Sequence, residues 1–263
     1  MKLICGDSAN ELKNLASESV DLTITSPPYD GIRSYDGYTF DFKSIAKELL
    51  RVTKKGGIVV WIIGDQIIDG DNSGTSFNQA LFFKEIGFKL YDVIIYAKNN
   101  ISFPNGRNRY HRAYEYMFIL SKGKPKTTNL IADKKNKWGG TANWGNLTER
   151  QKDGTLKVKP KKYVKEYGIR YNIWYYTVGK GHSTHDSIAY EHPAIFPEKL
   201  AYDHIISWTN EKDLVLDPFC GSGTTCKMAK QLNRDFIGIE ISEKYLQIAK
   251  SRTSQEYLLE EKK

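Results

Sequence analysis

Cysteine is scarce in this chain, with three (Cys5, Cys220 and Cys226) among 263 residues. An odd, low count excludes a disulfide framework. The lack of any Cys-x-x-Cys pair removes the usual zinc spacing, and His182-x-x-His185-Asp186 has no further ligands spaced to help it; no metal is expected. Long apolar runs are missing too. The longest, residues 58–63, falls far short of the roughly 18 residues of a membrane helix and has the length of a buried strand. The first residues, Met-Lys-Leu-Ile-Cys-Gly-Asp, lack the apolar stretch of about 7–15 residues of a signal peptide. The expectation is a cytoplasmic protein without membrane contact.

Acidic residues are depleted in one place. From Lys98 to His182 there are 19 Lys/Arg against 5 Asp/Glu, a local balance of +14, so the rest of the chain carries −6 of the net +8. Thirteen aromatics interleave with those charges, including Tyr110, Trp138, Trp144, Tyr163, Tyr167, Trp174 and Tyr175. Disordered basic tails are poor in aromatics, whereas a folded nucleic-acid surface uses both.

What is present is an alternation of strands and helices. Residues 21–25, 58–63, 90–96, 116–120, 214–216 and 236–240 read as strands, and 42–52, 77–86, 197–209, 224–232 and 243–252 as helices. Lys54-Lys55-Gly56-Gly57 reads as the stop of the first helix, and 255–263 as a helical tail. This order implies a mostly parallel sheet covered on both faces. The period is lost from 122 to 182, which marks an inserted region between 1–121 and 183–263.

Two turns carry the chemistry. Asp217-Pro218-Phe219-Cys220-Gly221-Ser222-Gly223-Thr224-Thr225 lies between a strand and a helix, where open α/β sheets bind ligands. Its glycines permit close backbone approach, and the helix N-terminus favours a carboxylate, such as that at the methionine end of a cofactor. A P-loop would need Gly-Lys-Ser/Thr and a dinucleotide fold a third glycine; here Thr224-Thr225 follow Gly223, and 226 is cysteine. Glu240, ending the next strand, is placed to accept ribose hydroxyls. The second turn, Ser26-Pro27-Pro28-Tyr29, follows a strand on the same rim, and its prolines fix φ and supply no N–H. Such rigidity suits holding a reacting group.

Together these turns resemble the catalytic (Ser/Asp/Asn)-Pro-Pro-Tyr and cofactor motifs of DNA amino-methyltransferases. The catalytic turn comes first, as in the circularly permuted β-type arrangement. Gly6-Asp7, Val20-Asp21-Leu22, Arg51-Val52 with Lys54–Gly57, and 191–197 (Glu-His-Pro-Ala-Ile-Phe-Pro) are similar as well, although Lys55 stands where proline is usual. The resemblance covers about 1–121 and 190–252. It implies a class I S-adenosylmethionine-dependent fold, a doubly wound seven-stranded sheet with an inserted target-recognition region at 122–182. It implies Ser26, Pro27, Pro28 and Tyr29 as catalytic. Asp7, Phe196, Asp217, Pro218, Phe219, Gly221, Ser222, Gly223, Thr224, Thr225 and Glu240 would bind S-adenosylmethionine, with Asp7 at the adenine and the 191–197 segment closing over the methionine part. In that family Gly-Asp begins the strand that extends the sheet.

The implied reaction is methylation of the exocyclic amine of a base flipped from double-stranded DNA. In the family, serine at the first position goes with cytosine N4 and aspartate with adenine N6, which favours cytosine here. The Pro-Cys nucleophile of cytosine-C5 enzymes is absent. Ser26 Oγ and the Pro27 carbonyl would hold the amine, and Tyr29 would stack on the base. Arg107, Arg109, His111, Arg112, Lys134, Lys135, Lys161 and Lys162 are the candidates for DNA contact, and Lys98, after the strand at 91–97, a candidate for the base pocket. The resemblance leaves a cognate restriction endonuclease and a homodimer open. The competing readings are an RNA or protein methyltransferase and a non-catalytic DNA-binding module.

Overall fold

The computed structural model describes residues 1–28, 40–100, 108–142, 147–159 and 163–254. Contacts divide the chain into a larger unit, 1–129 with 172–263, and a smaller one, 130–171. The larger unit is built on an eight-stranded sheet. Its strands are β1 (Lys2–Cys5), β2 (Val20–Thr25), β3 (Thr53–Ile63), β4 (Lys89–Lys98), β5 (Tyr114–Ser121), β6 (Ile173–Tyr176), β7 (Leu214–Asp217) and β8 (Asp235–Glu240). They lie in the order β1–β8–β7–β2–β3–β5–β4–β6. Only β5 runs against its neighbours. The sheet has one strand more than expected: β6, which pairs parallel with β4 at the edge.

The strands form where the residues make both faces apolar. Residues 58–63 of β3 are all buried, as a strand covered on both sides must be. On one face Val59, Trp61 and Ile63 pack with Ile45, Ala46, Leu49 and Val52 of α1 (Phe42–Val52) and with Ala80 and Phe83 of α2 (Thr75–Glu85). The alternate residue Met117 of β5 meets His204 of α3 (Glu198–Trp208), and α3 also lies against β2 and β3. Helices α4 (Thr224–Gln231) and α5 (Glu243–Ser254) follow β7 and β8.

Two local expectations change. Strand β3 begins already at Thr53, so 54–57 is strand rather than a helix stop. Gly56, at φ +81°, lets the chain at 122–126 pass close by. Its amide donates to the Lys122 carbonyl at 2.7 Å and its carbonyl accepts from the Lys126 amide at 2.9 Å. Gly6-Asp7 follows β1 instead of beginning it. The β1 register against β8, Lys2↔Ile237 to Cys5↔Glu240, puts Asp7 and Glu240 at the same end of adjacent strands. The chain's start thus continues the sheet at its last strand, as a permuted order requires. The tail at 255–263 lies outside the described residues.

The smaller unit holds two short antiparallel ladders, Lys134–Lys135 with Tyr167–Gly168 and Thr148–Arg150 with Leu156–Val158. It carries 11 Lys/Arg against 4 Asp/Glu. Trp138, Tyr163, Tyr167 and Tyr171 are all exposed. Among the described residues no helix is long and apolar enough to cross a membrane.

Candidate active site

The two turns emerge side by side. Strands β7 and β2 are parallel neighbours, with Val215 opposite Leu22 and Leu216 opposite Thr23. Their carboxyl ends are tied by Thr25 Oγ1 donating to Asp217 Oδ1 at 2.8 Å. Ser8 Oγ, just past β1, donates to the Pro218 carbonyl. One cleft of about 520 Å³ lies over this rim, within the size range of small-ligand sites.

Of the expected catalytic residues, Ser26, Pro27 and Pro28 line the cleft; Tyr29 lies outside the described residues. Of the expected cofactor residues, Asp7, Phe196, Pro218 and Phe219 line it, as do Gly221, Ser222, Thr224 and Glu240. Glu240 is 9% exposed. Its carboxylate accepts from the amides of Gly221 and Ser242, each at 2.9 Å. Burial raises its pKa, against those amides. Asp7 caps the single helical turn Ser8–Glu11 by accepting from the Asn10 amide.

Asp217, Gly223 and Thr225 are not in the cleft wall; they support it. Asp217 is 2% exposed and braces the loop from behind, accepting also from the Phe219 amide at 3.1 Å. Burial pushes its carboxyl up to about 6, against the hydroxyls of Thr225 and Thr25 and the Phe219 amide. Gly223 has φ +80°, and a Cβ there would stand 2.7 Å from Ala249 Cβ on α5. This glycine therefore serves helix packing. At Gly221 (φ +50°) a Cβ would meet the His192 ring at 2.9 Å.

His192 belongs to the 191–197 segment expected over the methionine part, although the sequence did not single it out within that segment. Its ring lies over the loop in the cleft wall, edge-on to Tyr245 at 4.5 Å, with Nδ1 within 2.8 Å of the Ala194 carbonyl. A second unforeseen feature is a buried ionic cluster behind the loop. Arg252, fully buried, donates from Nη1 to the Ser222 carbonyl at 2.7 Å and to Thr224 Oγ1 at 3.1 Å. It pairs with Asp186 and Glu198, which also bind Lys227 at 2.7 Å each. Asp186, of the His-x-x-His-Asp stretch, is thus an ion-pair partner, held below the usual carboxylate range by Lys227 and Arg252 in spite of its burial.

The donor set suits S-adenosylmethionine. Apolar side chains (Phe40, Phe219, Ile241) supply walls for a flat ring, and Asp7 and Glu240 supply carboxylates at the ends of adjacent strands. The first turn of α4 supplies amides that have no intrahelical partner, suited to a carboxylate.

Tyr96, Lys98 and Glu115 also line this cleft. Lys98 Nζ pairs with Glu115 Oε1 at 2.5 Å and sits 5.3 Å from the centre of the Tyr96 ring. The sequence candidate Lys98 is therefore in the same cleft as Ser26.

The basic candidates fall into different settings. Arg109 and His111 are exposed, and Arg109 donates to the Gly70 carbonyl. Arg112 donates to the Asp65 carbonyl and to Asn72 Oδ1, so both arginines hold the segment in which Ile67–Ile68 pairs antiparallel with Asp71–Asn72. In the smaller unit Lys135 is exposed, while Lys134 rests on the Tyr171 ring at 4.5 Å. Arg107, Lys161 and Lys162 lie outside the described residues.

Comparison with known proteins agrees with this geometry. A DNA methylase family model (N6_N4_Mtase) matches residues 20–251. The orphan methyltransferase M.BamHII of Bacillus amyloliquefaciens is 54% identical over 249 residues, 94% of this chain and 93% of that one. The type II methyltransferase M.SmaI of Serratia marcescens is 26% identical, over 95% and 90% of the two chains. Among solved structures, the PvuII DNA methyltransferase (cytosine-N4-specific) superposes with a TM-score of 0.71 at 20% identity, covering 99% of this chain and 87% of that one. The M1.HpyAVI–SAM complex gives 0.60 at 25% identity, covering 96% and 98%. The chain belongs to the N6/N4 DNA methylase family and is a DNA methyltransferase.

Proposed function

We propose that this enzyme methylates N4 of a cytosine turned out of double-stranded DNA, with S-adenosylmethionine as donor. When bound, the donor supplies an electrophilic sulfonium methyl. The chain's own part is to position and polarise. An exocyclic amine is a weak nucleophile because its lone pair is shared with the ring. Ser26 Oγ and the Pro27 carbonyl accept its two N–H bonds and draw the nitrogen toward tetrahedral geometry, so that the lone pair faces the methyl. Proline at 27 and 28 keeps those acceptors rigid. The new N–C bond forms as the donor's C–S bond breaks, and the extra proton on the nitrogen is then released to solvent.

The observation that carries this reading is the shared rim: the Thr25–Asp217 bond joins the catalytic strand to the cofactor strand, and both turns open into one cleft. Serine at position 26 supports cytosine over adenine. The small basic unit with its exposed aromatics supports a role in target recognition, where phosphate contacts give affinity and base edges give specificity. The relation to an orphan methyltransferase supports a solitary enzyme over one paired with a nuclease.

The test is to incubate the protein with labelled S-adenosylmethionine and DNA and to identify the modified nucleoside by mass. N4-methylcytosine is expected; N6-methyladenine overturns the assignment.

A further inference from the structure

Once Ser26 and the Pro27 carbonyl occupy the amine, the remaining Watson–Crick edge of the base defines what the rest of the cleft wall must offer. Cytosine keeps two acceptors, N3 and O2. Adenine keeps one acceptor, N1, beside a C–H that neither donates strongly nor accepts. A wall selective for cytosine therefore needs two donors aimed at that edge. Lys98 has the right inventory. Its ammonium carries three N–H groups and no lone pair. One is committed to Glu115, and two others are left for a ligand.

The topology places this lysine at the correct rim. Strand β4 is antiparallel to β5, which is antiparallel to β3, so β4 runs in the direction of β2; the register Thr25↔Trp61↔Phe118↔Val93 carries its end past that of β2 on the same side of the sheet. Lys98 is the last residue of β4, and Ser26 follows the last residue of β2. Three strand spacings of about 4.8 Å and four residues of offset at about 3.3 Å each put roughly 19 Å between the two backbones. Both residues line the one cleft, and a lysine side chain reaching back toward Ser26, one pyrimidine ring, the serine side chain and a hydrogen bond of about 2.9 Å at each end span that distance.

Glu115 explains why the lysine is poised. It stands opposite Tyr96 in the β4–β5 ladder, so Tyr96, Lys98 and Glu115 share one face. Side-chain exposures of 27% for Lys98 and 18% for Glu115 show a pair largely withdrawn from water. Such pairs add little to stability over apolar residues of the same volume. Holding a flexible ammonium over the Tyr96 ring, at the wall of a ligand cleft, is what the pair accomplishes.

We propose that Lys98, oriented by Glu115, donates to N3 and O2 of the extruded cytosine and so reads the base; this rests on the cytosine-N4 reading above. Lys98 is then a substrate-contacting specificity residue, and Glu115 a positioning residue.

The experiment uses the full chain, a duplex carrying its methylated site as mapped on host DNA, and the same duplex with 3-deazacytosine, which lacks the N3 acceptor, at the target position. The nucleoside product of the wild type is read first: N6-methyladenine overturns the cytosine reading and this proposal with it, before any variant is made. With N4-methylcytosine as product, the analogue is expected to lower wild-type kcat/KM by about 10- to 100-fold, the worth of one hydrogen bond to a charged donor. K98M is expected to be slowed by a similar factor on cytosine and by less than about threefold more on the analogue, with its affinity for S-adenosylmethionine unchanged. The same analogue penalty in K98M as in the wild type, or none in the wild type, overturns the role of Lys98. Should K98M fail to fold, E115Q serves in its place: the penalty is expected to shrink, and an unchanged penalty overturns the positioning by Glu115.

Discussion

Replacing Asp217 by asparagine should stabilise the enzyme at neutral pH. The carboxyl is 2% exposed and its pKa stands at about 6 against an ordinary 3.8. Two units at 1.36 kcal/mol each correspond to about 3 kcal/mol. A pKa raised by folding means that the folded chain binds the proton more tightly than the unfolded one. The associated stability is complete below pH 4 and is lost as pH rises through 6, where the buried group ionises. Asparagine stays neutral, keeps an oxygen for Thr25 and the Phe219 amide, and turns its nitrogen toward the Thr225 hydroxyl. The variant should therefore gain on the wild type between pH 4 and 6 and hold an advantage of up to about 3 kcal/mol above that. At 2–4 °C per kcal/mol for a chain of this size, the melting temperature at pH 7.5 should rise by about 6–12 °C. Thermal melting by circular dichroism at half-unit steps from pH 4.5 to 8 gives the answer. Parallel curves for the two proteins, or a less stable variant above pH 6, would refute the claim that burial dominates at Asp217.

Other perturbations separate support from contact. Gly223→Ala adds a Cβ at positive φ, 2.7 Å from Ala249 Cβ; it should cost about 2–4 kcal/mol in urea unfolding, and an unchanged midpoint would contradict the packing role. Arg252→Met removes one of the two cations that Asp186 and Glu198 share, leaving them paired with Lys227, for an expected loss of about 3–5 kcal/mol in the same measurement. Ser26→Ala should lower kcat by about 10- to 100-fold while calorimetry shows unchanged affinity for S-adenosylmethionine; equal losses in both would contradict its role as an amine acceptor. Changing exposed Lys135, Lys152 and Lys157 together to glutamine should reduce the slope of log affinity for DNA against log salt by about 2–3, and an unaltered slope would remove the smaller unit from the phosphate contacts.

Most elements of the larger unit were legible because each carries its own local pattern. Ile45, Ala46, Leu49 and Val52 fall on one helical face, and α1 spans Phe42–Val52 as expected. Strand β6 escaped notice although Ile173-Trp174-Tyr175-Tyr176 has strong strand propensity. It sits among Lys, Gly and Asn, in a stretch whose basic, aromatic composition invited a single reading. Its alternation, with Trp174 and Tyr176 buried between exposed Ile173 and Tyr175, is the half-buried pattern of an edge strand.

The site divides along the same line. Turns announce themselves, since prolines and glycines dictate backbone geometry wherever they stand, and Pro218, Phe219, Gly221, Ser222 and Thr224 in the wall were readable for that reason. The groups that hold the turns were not. Arg252 and Lys227 look like surface cations on helices, and only pairing with residues 29 to 66 positions away makes their burial tolerable. Asp217 read as a ligand residue because it opens the loop, yet its carboxylate points back to Thr25 and ties the two strands. A motif therefore marks where backbone and ligand meet, while the forces that fix the motif's geometry come from sequence-distant partners. In this enzyme those partners are charged: a buried cluster under the cofactor loop and a lysine–glutamate pair in the cleft wall. They differ in what they touch. The first reaches the cleft through Ser222 and Thr224, so its loss should weaken the fold and the donor site together. The second opens directly into the cleft, so its loss should alter which base is accepted while leaving the donor site whole.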